Sequence, residues 1–109
     1  MIQDKHINKL CSWLRKTGPE QWNELLDLRT GGEFEKEWVR VNEILIFDKI
    51  QWPALDKVFL KMSGITRQHE IVDYIADDLD LIYRGEIKRI NDNFLEKLTE
   101  SYQNGVFPT

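Results

Sequence analysis

Apolar residues recur along most of this sequence at the spacing of a helix, and glycine or proline interrupts them. The first such segment places Ile7, Leu10, Cys11 and Leu14 at positions i, i+3, i+4 and i+7, which puts them on one helical face. It stops at Thr17-Gly18-Pro19, where glycine suits a C-cap and proline suits the start of a new helix. No second strand candidate is evident, and a lone strand would leave its backbone groups unpaired. The sequence therefore predicts helices packed on helices.

Breaks of this kind also divide the rest of the chain into predicted helices. We expect helices over 4–17, from Pro19 to Gly31-Gly32, over 34–52, from Pro53 to Ser63-Gly64, from Thr66 to Gly85, and from Ile87 to Asn104-Gly105. Asn91-Asp92-Asn93 is expected to interrupt the last of these, because Asn93 with Glu96 resembles a capping box. The prediction is an all-α fold: an irregular bundle of five or six helices, in one domain over residues 1–109. A short strand within 38–50 is the alternative, since Ile44-Leu45-Ile46-Phe47 is a continuous apolar run.

Composition excludes several classes of protein. No apolar run approaches the roughly 20 residues that a bilayer requires, and Met1 to Lys5 lacks a secretion signal. The single cysteine, Cys11, cannot form a bridge within the chain, which suits a reducing compartment. The net charge of −4 disfavours direct nucleic-acid binding, which depends on clustered lysine and arginine. We therefore expect a cytoplasmic protein without membrane or nucleic-acid contacts.

The helix predicted from Thr66 carries a strongly acidic side. Between Gln68 and Tyr83 there are five acids and no base. At about 100° per residue, six side chains fall opposite the apolar arc. They are Glu70, Asp73, Tyr74, Asp77, Asp80 and Leu81. A solvated face is one interpretation, but aspartate is a poorer helix former than glutamate, and an outward tyrosine and leucine add little to solubility. We favour a binding face for a basic protein, with carboxylates that steer association and apolar side chains that supply contact area.

Sequence signals for catalysis are weak. His69-Glu70 with Asp73 reads H-E-x-x-D, near the zinc pattern H-E-x-x-H, but zinc needs a third ligand and His6 is the only other histidine. Cys11 lies on an apolar arc, where the default is an inert core thiol. We predict no catalytic residues, no metal ligands and no cofactor, and keep a small metal-dependent enzyme as the third hypothesis.

A second hypothesis concerns self-association. Lys5, Lys9, Ser12 and Lys16 form a small basic stripe on the first helix, and this stripe could pair with the acidic helix of a second copy. The alternative function is thus a helical regulatory or scaffold subunit that acts as a homodimer.

The small size, acidity and outward aspartates resemble the cytoplasmic immunity proteins of bacterial toxin and immunity pairs. The closing pattern Leu98, Tyr102, Gly105, Phe107-Pro108 is similar to the endings of such proteins. The resemblance implies a non-enzymatic inhibitor that covers the active site of a basic toxin, for example a nuclease. The carboxylates would then stand in for nucleic-acid phosphates.

Overall fold

Six helices make up most of the fold. The computed structural model describes residues 2–46 and 52–109, and these residues contain no strand. The helices are α1 Asp4–Lys16, α2 Pro19–Arg29, α3 Glu33–Ile44, α4 Leu55–Thr66, α5 His69–Ile87 and α6 Asn93–Gln103. The predicted all-α bundle is confirmed.

The first two helices begin and end close to where their glycines and proline predict. Gly18 is the N-cap of α2 and Pro19 occupies its first turn, where a missing N–H leaves no hydrogen bond unmade. The chain leaves α2 through Gly31, whose φ of +74° favours glycine.

The ambiguous segment is helical only as far as Ile44, so the described part of the helix predicted over 34–52 ends too early. Helix α3 covers 33–44 and Leu45 and Ile46 form a turn, so a strand within 38–46 is excluded. The rest of the predicted helix over 34–52 and of the alternative strand, including Phe47 and Ile50, falls on 47–51, outside the described residues.

Helix α4 runs past its predicted stop. Ser63 and Gly64 lie inside α4, and the helix ends only where Arg67 adopts a left-handed φ of 52°. The prediction that Thr66 caps the next helix is also wrong. Thr66 is the last residue of α4, and Gln68 is the N-cap of α5. Gly64 is tolerated within α4 because Met62 on the same helix is held in the core.

The prediction that Gly85 ends its helix is wrong. Helix α5 continues through it to Ile87, and Gly85 is buried against α6. A Cβ atom added at Gly85 would lie 2.7 Å from Cδ1 of Leu95. The glycine therefore permits a close approach of α5 and α6 rather than a chain reversal.

The predicted break before the last helix is confirmed, but its cap lies one residue earlier. Asp92 is the N-cap of α6, and its Oδ1 accepts hydrogen bonds from the backbone N–H groups of Phe94 (2.9 Å) and Leu95 (3.3 Å). An aspartate satisfies two otherwise unpaired donors in this position. The capping box predicted at Asn93 is therefore wrong.

Helix α5 occupies the centre of the bundle. It packs against α4, α6 and α2, while α1 packs against α4 and α6 and α3 packs against α2 and α6. One buried cluster joins all six helices through residues such as Leu14, Leu26, Val41, Met62, Ile75 and Leu98. Within the described ranges, no helix combines the length and apolarity needed to cross a membrane.

Candidate functional site

Three carboxylates project from the N-terminal half of α5. Glu70, Asp73 and Asp77 are exposed, as the sequence predicts. None of them forms an ion pair with a lysine or arginine in the described part of the chain. We refer to these three residues as the acidic face, and none of its carboxylates has an ion-pair partner among the described residues.

The C-terminal half of the same side of α5 is covered. Leu81 is fully buried, so the prediction that it faces outward is wrong. Asp80 is 28% exposed, and its Oδ2 lies 3.0 Å from Nε of Arg84 in an ion pair within α5. Arg84 also donates a hydrogen bond of 3.2 Å to the carbonyl of Leu45, just after α3. Arg84 therefore connects this half of α5 to the end of α3, Leu81 is not part of the open surface, and Asp80 is partly exposed and paired.

Tyr74 marks the boundary between these two halves. Its side chain is half-buried and packs against the hydrophobic core. Its ring centroid lies 5.1 Å from the guanidinium carbon of Arg29, which is within the range of a cation–π contact. Tyr74 is therefore held in place rather than freely exposed, and only part of it is available to a partner.

The most constrained polar group is Asp78, which the sequence analysis did not single out. Asp78 is fully buried, and its carboxylate accepts four hydrogen bonds from three side chains. Arg29 donates two, from Nη1 at 2.7 Å and from Nη2 at 2.8 Å. Trp38 donates from Nε1 at 2.9 Å, and the Tyr102 hydroxyl donates the fourth. The carboxylate thus links helices α2, α3, α5 and α6 at one point.

Burial and pairing set the protonation states in this network. Desolvation alone lowers the pKa of Arg29, but the hydrogen bonds and the charge of Asp78 outweigh it and leave this pKa raised. Burial and then the nearby Asp78 charge raise the pKa of Tyr102 well above its ordinary value. Both shifts favour a charged guanidinium and a neutral phenol that donates to the carboxylate.

The sequence does contain a signal for this network. Asp78 is seven residues after Ile71 and three after Ile75, so it falls on the apolar arc of α5. Arg29 is likewise seven residues after Trp22, on the buried face of α2. A carboxylate and a guanidinium are almost never fully buried unless they are paired. Two opposite charges on two buried faces therefore indicate each other as partners.

A cleft with a volume of about 300 Å³ opens beside the network, between α2–α3 and α5. Its lining consists of Arg29, Thr30, Phe34, Glu35, Trp38, Val39, Tyr74, Asp77 and Asp78. We call it the aromatic cleft, because Phe34, Trp38 and Tyr74 supply its rings. Asp77 belongs both to this cleft and to the acidic face, so the two features form one continuous surface.

The carboxyl group of Asp77 is harder to ionise at the edge of the cleft than in water. Although the residue as a whole is exposed, desolvation of its carboxyl group raises its pKa. The charges of Asp78, Asp73 and Asp80 raise this pKa further, while Arg29 opposes them. The ionised carboxylate is thus less favourable here than in water, and a cation that reached it would relieve that penalty.

The other residues that the sequence analysis discussed lie either at the surface or in the core. His69 is exposed in the first turn of α5, and among residues 2–46 and 52–109 no three metal-ligating side chains are grouped closely enough to hold an ion. Cys11 is buried in the core, and burial raises the pKa of its thiol. The basic stripe of Lys5, Lys9 and Lys16 on α1 is exposed, and its predicted role in self-association stays a prediction.

Comparison with known proteins gives one match. A family model described as "Immunity protein PIM1" matches residues 3–109, almost the whole chain. No curated protein and no solved structure matches. The suspected resemblance to immunity proteins is therefore confirmed at the level of the family, and the chain belongs to the PIM1 family of immunity proteins.

Proposed function

We propose that this protein neutralises a toxin by binding a basic surface of the toxin with its acidic face. Membership of an immunity protein family supports a non-enzymatic inhibitor with a toxin partner. The observation that carries the proposal beyond the family is that Glu70, Asp73 and Asp77 are exposed and unpaired within the described residues. Unpaired carboxylates on one helix attract a cationic surface and speed its encounter.

A nuclease is the toxin class that best fits this charge. An enzyme that binds nucleic acid carries clustered lysine and arginine in its groove. A helix that presents carboxylates in a row can occupy such a groove in place of phosphates. The inhibitor then acts by covering the substrate site, and its own chemistry contributes nothing to the reaction. Its place of action in this proposal is the cytoplasm of the cell that makes the toxin.

The test compares two variants with the same change in charge. Asp73→Lys with Asp77→Lys reverses the acidic face, and Glu43→Lys with Glu100→Lys changes two exposed acids on α3 and α6. Each substitution adds two positive units, so both variants move the formal net charge from −4 to zero. The partner is the cognate toxin, identified by pull-down from the native host, and binding is measured by surface plasmon resonance or calorimetry.

We expect the acidic-face variant to lose at least about 100-fold in affinity, because like charges placed across an interface cost several kcal/mol. The control variant should stay within about 3-fold of the wild type, as is typical of charges outside an interface. The wild-type association rate should fall as NaCl rises from about 50 to about 500 mM, since salt screens exposed charges. Equal losses in both variants, or association that ignores salt, would refute the acidic face as the binding surface.

Sedimentation of the free protein completes this test. A homodimer formed between the basic stripe of one copy and the acidic face of another would occupy the same carboxylates. If toxin binding uses that face, any such dimer must dissociate when toxin is added. A dimer that persists in the toxin complex would place the interface elsewhere.

A further inference from the structure

The aromatic cleft has the size of a pocket for one side chain. Its volume of about 300 Å³ lies at the low end for small-molecule sites, which span roughly 300–1,000 Å³. A helix or strand of a partner is too large to enter it. A single long side chain that projects from the partner fits this space.

The cleft walls favour a flat, positively charged group. Phe34, Trp38 and Tyr74 line the cleft and are each only half-buried, so part of every ring stays accessible. Aromatic faces attract cations, and guanidinium groups stack on them better than ammonium groups do. The protein already contains one example, because the guanidinium carbon of Arg29 lies 4.2 Å from the Phe34 ring centroid.

The net charge of the lining also favours a positively charged group. The lining contains one base, Arg29, and three acids, Glu35, Asp77 and Asp78. Arg29 and Asp78 neutralise each other through two hydrogen bonds, which leaves Glu35 and Asp77 as the net charge. Glu35 accepts a hydrogen bond from the backbone N–H of Gly31, which orients its carboxylate without supplying a cation. Within residues 2–46 and 52–109, neither carboxylate forms an ion pair. Two such carboxylates beside aromatic rings form a receptor for a guanidinium.

We propose that the aromatic cleft receives one arginine side chain of the toxin. The guanidinium stacks against the rings of Trp38 and Tyr74 and pairs with the carboxylates of Asp77 and Glu35. This inference rests on the proposed function, since it assigns an anchor within the same basic interface. The acidic face steers the toxin, and the cleft fixes its register through one buried side chain.

The first experiment needs no toxin. N-acetyl-arginine amide is titrated into ¹⁵N-labelled protein while the indole N–H signals are followed by NMR. The Trp38 indole lies at the cleft, whereas the Trp22 indole donates to Thr17 at 2.7 Å and serves as an internal reference. We expect a saturable shift of the Trp38 signal at millimolar concentration and none of the Trp22 signal.

N-acetyl-citrulline amide is the matched control probe, because it has the same shape without the charge. We expect it to bind at least about 10-fold more weakly, which is the loss of one charge-assisted contact. The variant Asp77→Asn should weaken the arginine probe by a similar factor. No saturable shift at Trp38, or equal shifts with the two probes, would overturn the arginine pocket even if the acidic face binds toxin.

The second experiment fills the cleft. Val39 lines the cleft and is exposed, so Val39→Trp obstructs the entrance without changing charge. Leu60→Trp adds an indole at an exposed position on α4, outside the cleft lining. Thermal unfolding first establishes that both variants are folded. We expect Val39→Trp to lose at least about 10-fold in toxin affinity and Leu60→Trp to lose less than about 2-fold.

The outcomes separate the two proposals. Equal toxin affinities of Val39→Trp and Leu60→Trp, with loss of affinity in Asp73→Lys/Asp77→Lys, would overturn the pocket and keep the acidic face. A specific arginine shift combined with toxin affinity that ignores Asp73→Lys/Asp77→Lys would overturn the proposed function, and with it the toxin's arginine as occupant. The proposal stands only if the probe, the obstruction and the charge reversal all have their expected effects.

Discussion

The replacement of Asp78 by asparagine tests how much the buried ion pair of Arg29 and Asp78 contributes to the stability of the fold. Asparagine keeps the shape of the side chain and one acceptor oxygen, but it removes the charge that faces Arg29. The guanidinium is buried, with only 5% of its side chain exposed, so it cannot recover hydration without opening the bundle. Loss of one partner of a buried ion pair typically costs about 3–5 kcal/mol.

That loss is large for a domain of this length. Stabilities of roughly 0.05–0.15 kcal/mol per residue give about 5–15 kcal/mol for such a chain. We therefore expect the midpoint of urea unfolding to fall by about 2 M, with m values of about 1–3 kcal/mol/M. The melting temperature should fall on the order of 10–20 °C. Circular dichroism with urea titration measures both the midpoint and the slope.

The double variant Arg29→Met/Asp78→Asn shows whether the unpaired charge is the cause. It leaves no charge in this network, while the asparagine oxygen can accept from the Trp38 indole and its amide N–H can donate to the Tyr102 hydroxyl. Contacting partners couple by about 0.5–3 kcal/mol, so the double variant should be more stable than the sum of the single effects predicts. A loss below about 1 kcal/mol in Asp78→Asn, or strict additivity in the double variant, would refute the argument.

Four further predictions concern other residues of the chain. Burial raises the pKa of Asp77 above its ordinary 3.8, so the ionised carboxylate destabilises the fold at neutral pH. Asp77→Asn should therefore be more stable than the wild type in urea at pH 7. The two proteins should be equally stable near pH 3, below that ordinary pKa. Gly64→Ala should stabilise the protein by roughly 0.5–1 kcal/mol, because Gly64 is helical and nothing lies within 4 Å of an added Cβ. Gly105→Ala should instead destabilise by at least about 1–2 kcal/mol in the same assay, because its φ is +71° and the new Cβ would lie 2.9 Å from Cβ of Lys9. The Cys11 thiol should react with a thiol reagent no faster than the protein unfolds, since it is buried and its pKa is raised, and fast labelling under native conditions would contradict this.

The helices were predictable because their signals are local. The breaks at Gly18-Pro19 and Asn104-Gly105 depend on backbone preferences within a few residues, and the structure places them where the sequence predicts. The C-cap predicted at Gly18 is wrong, because Thr17 is the C-cap of α1 and Gly18 is the N-cap of α2. The error at Gly85 arises from a tertiary contact, whereas Gly64 is exposed and nothing lies within 4 Å of a Cβ added there. A glycine that permits close helix packing, as Gly85 does against Leu95, has the same sequence appearance as a glycine that ends a helix.

The surface proposed for binding was only half predictable for a related reason. Periodicity gives the angle of a side chain around the helix axis but not which neighbours lie along that axis. Helix α5 has 19 residues and is therefore about 28 Å long. In its second half Leu81 is buried and Arg84 is hydrogen-bonded to Leu45 at the end of α3, whereas Glu70 and Asp73 in its first half remain exposed. Tertiary packing separates these two outcomes, and no local pattern encodes it.

Asp77 and Asp78 are adjacent in the sequence, but Asp77 is exposed and Asp78 is buried. A step of about 100° around α5 turns one carboxylate outward and the other into the core. Asp78 holds Trp38 and Arg29, and through Arg29 it supports the ring of Phe34, so it fixes the floor of the aromatic cleft. Asp77 stands at the edge of that cleft without a cationic partner among the described residues. A recognition surface requires rigid support. If Asp77 binds the toxin as proposed, the buried charge of Asp78 supplies that support one residue away.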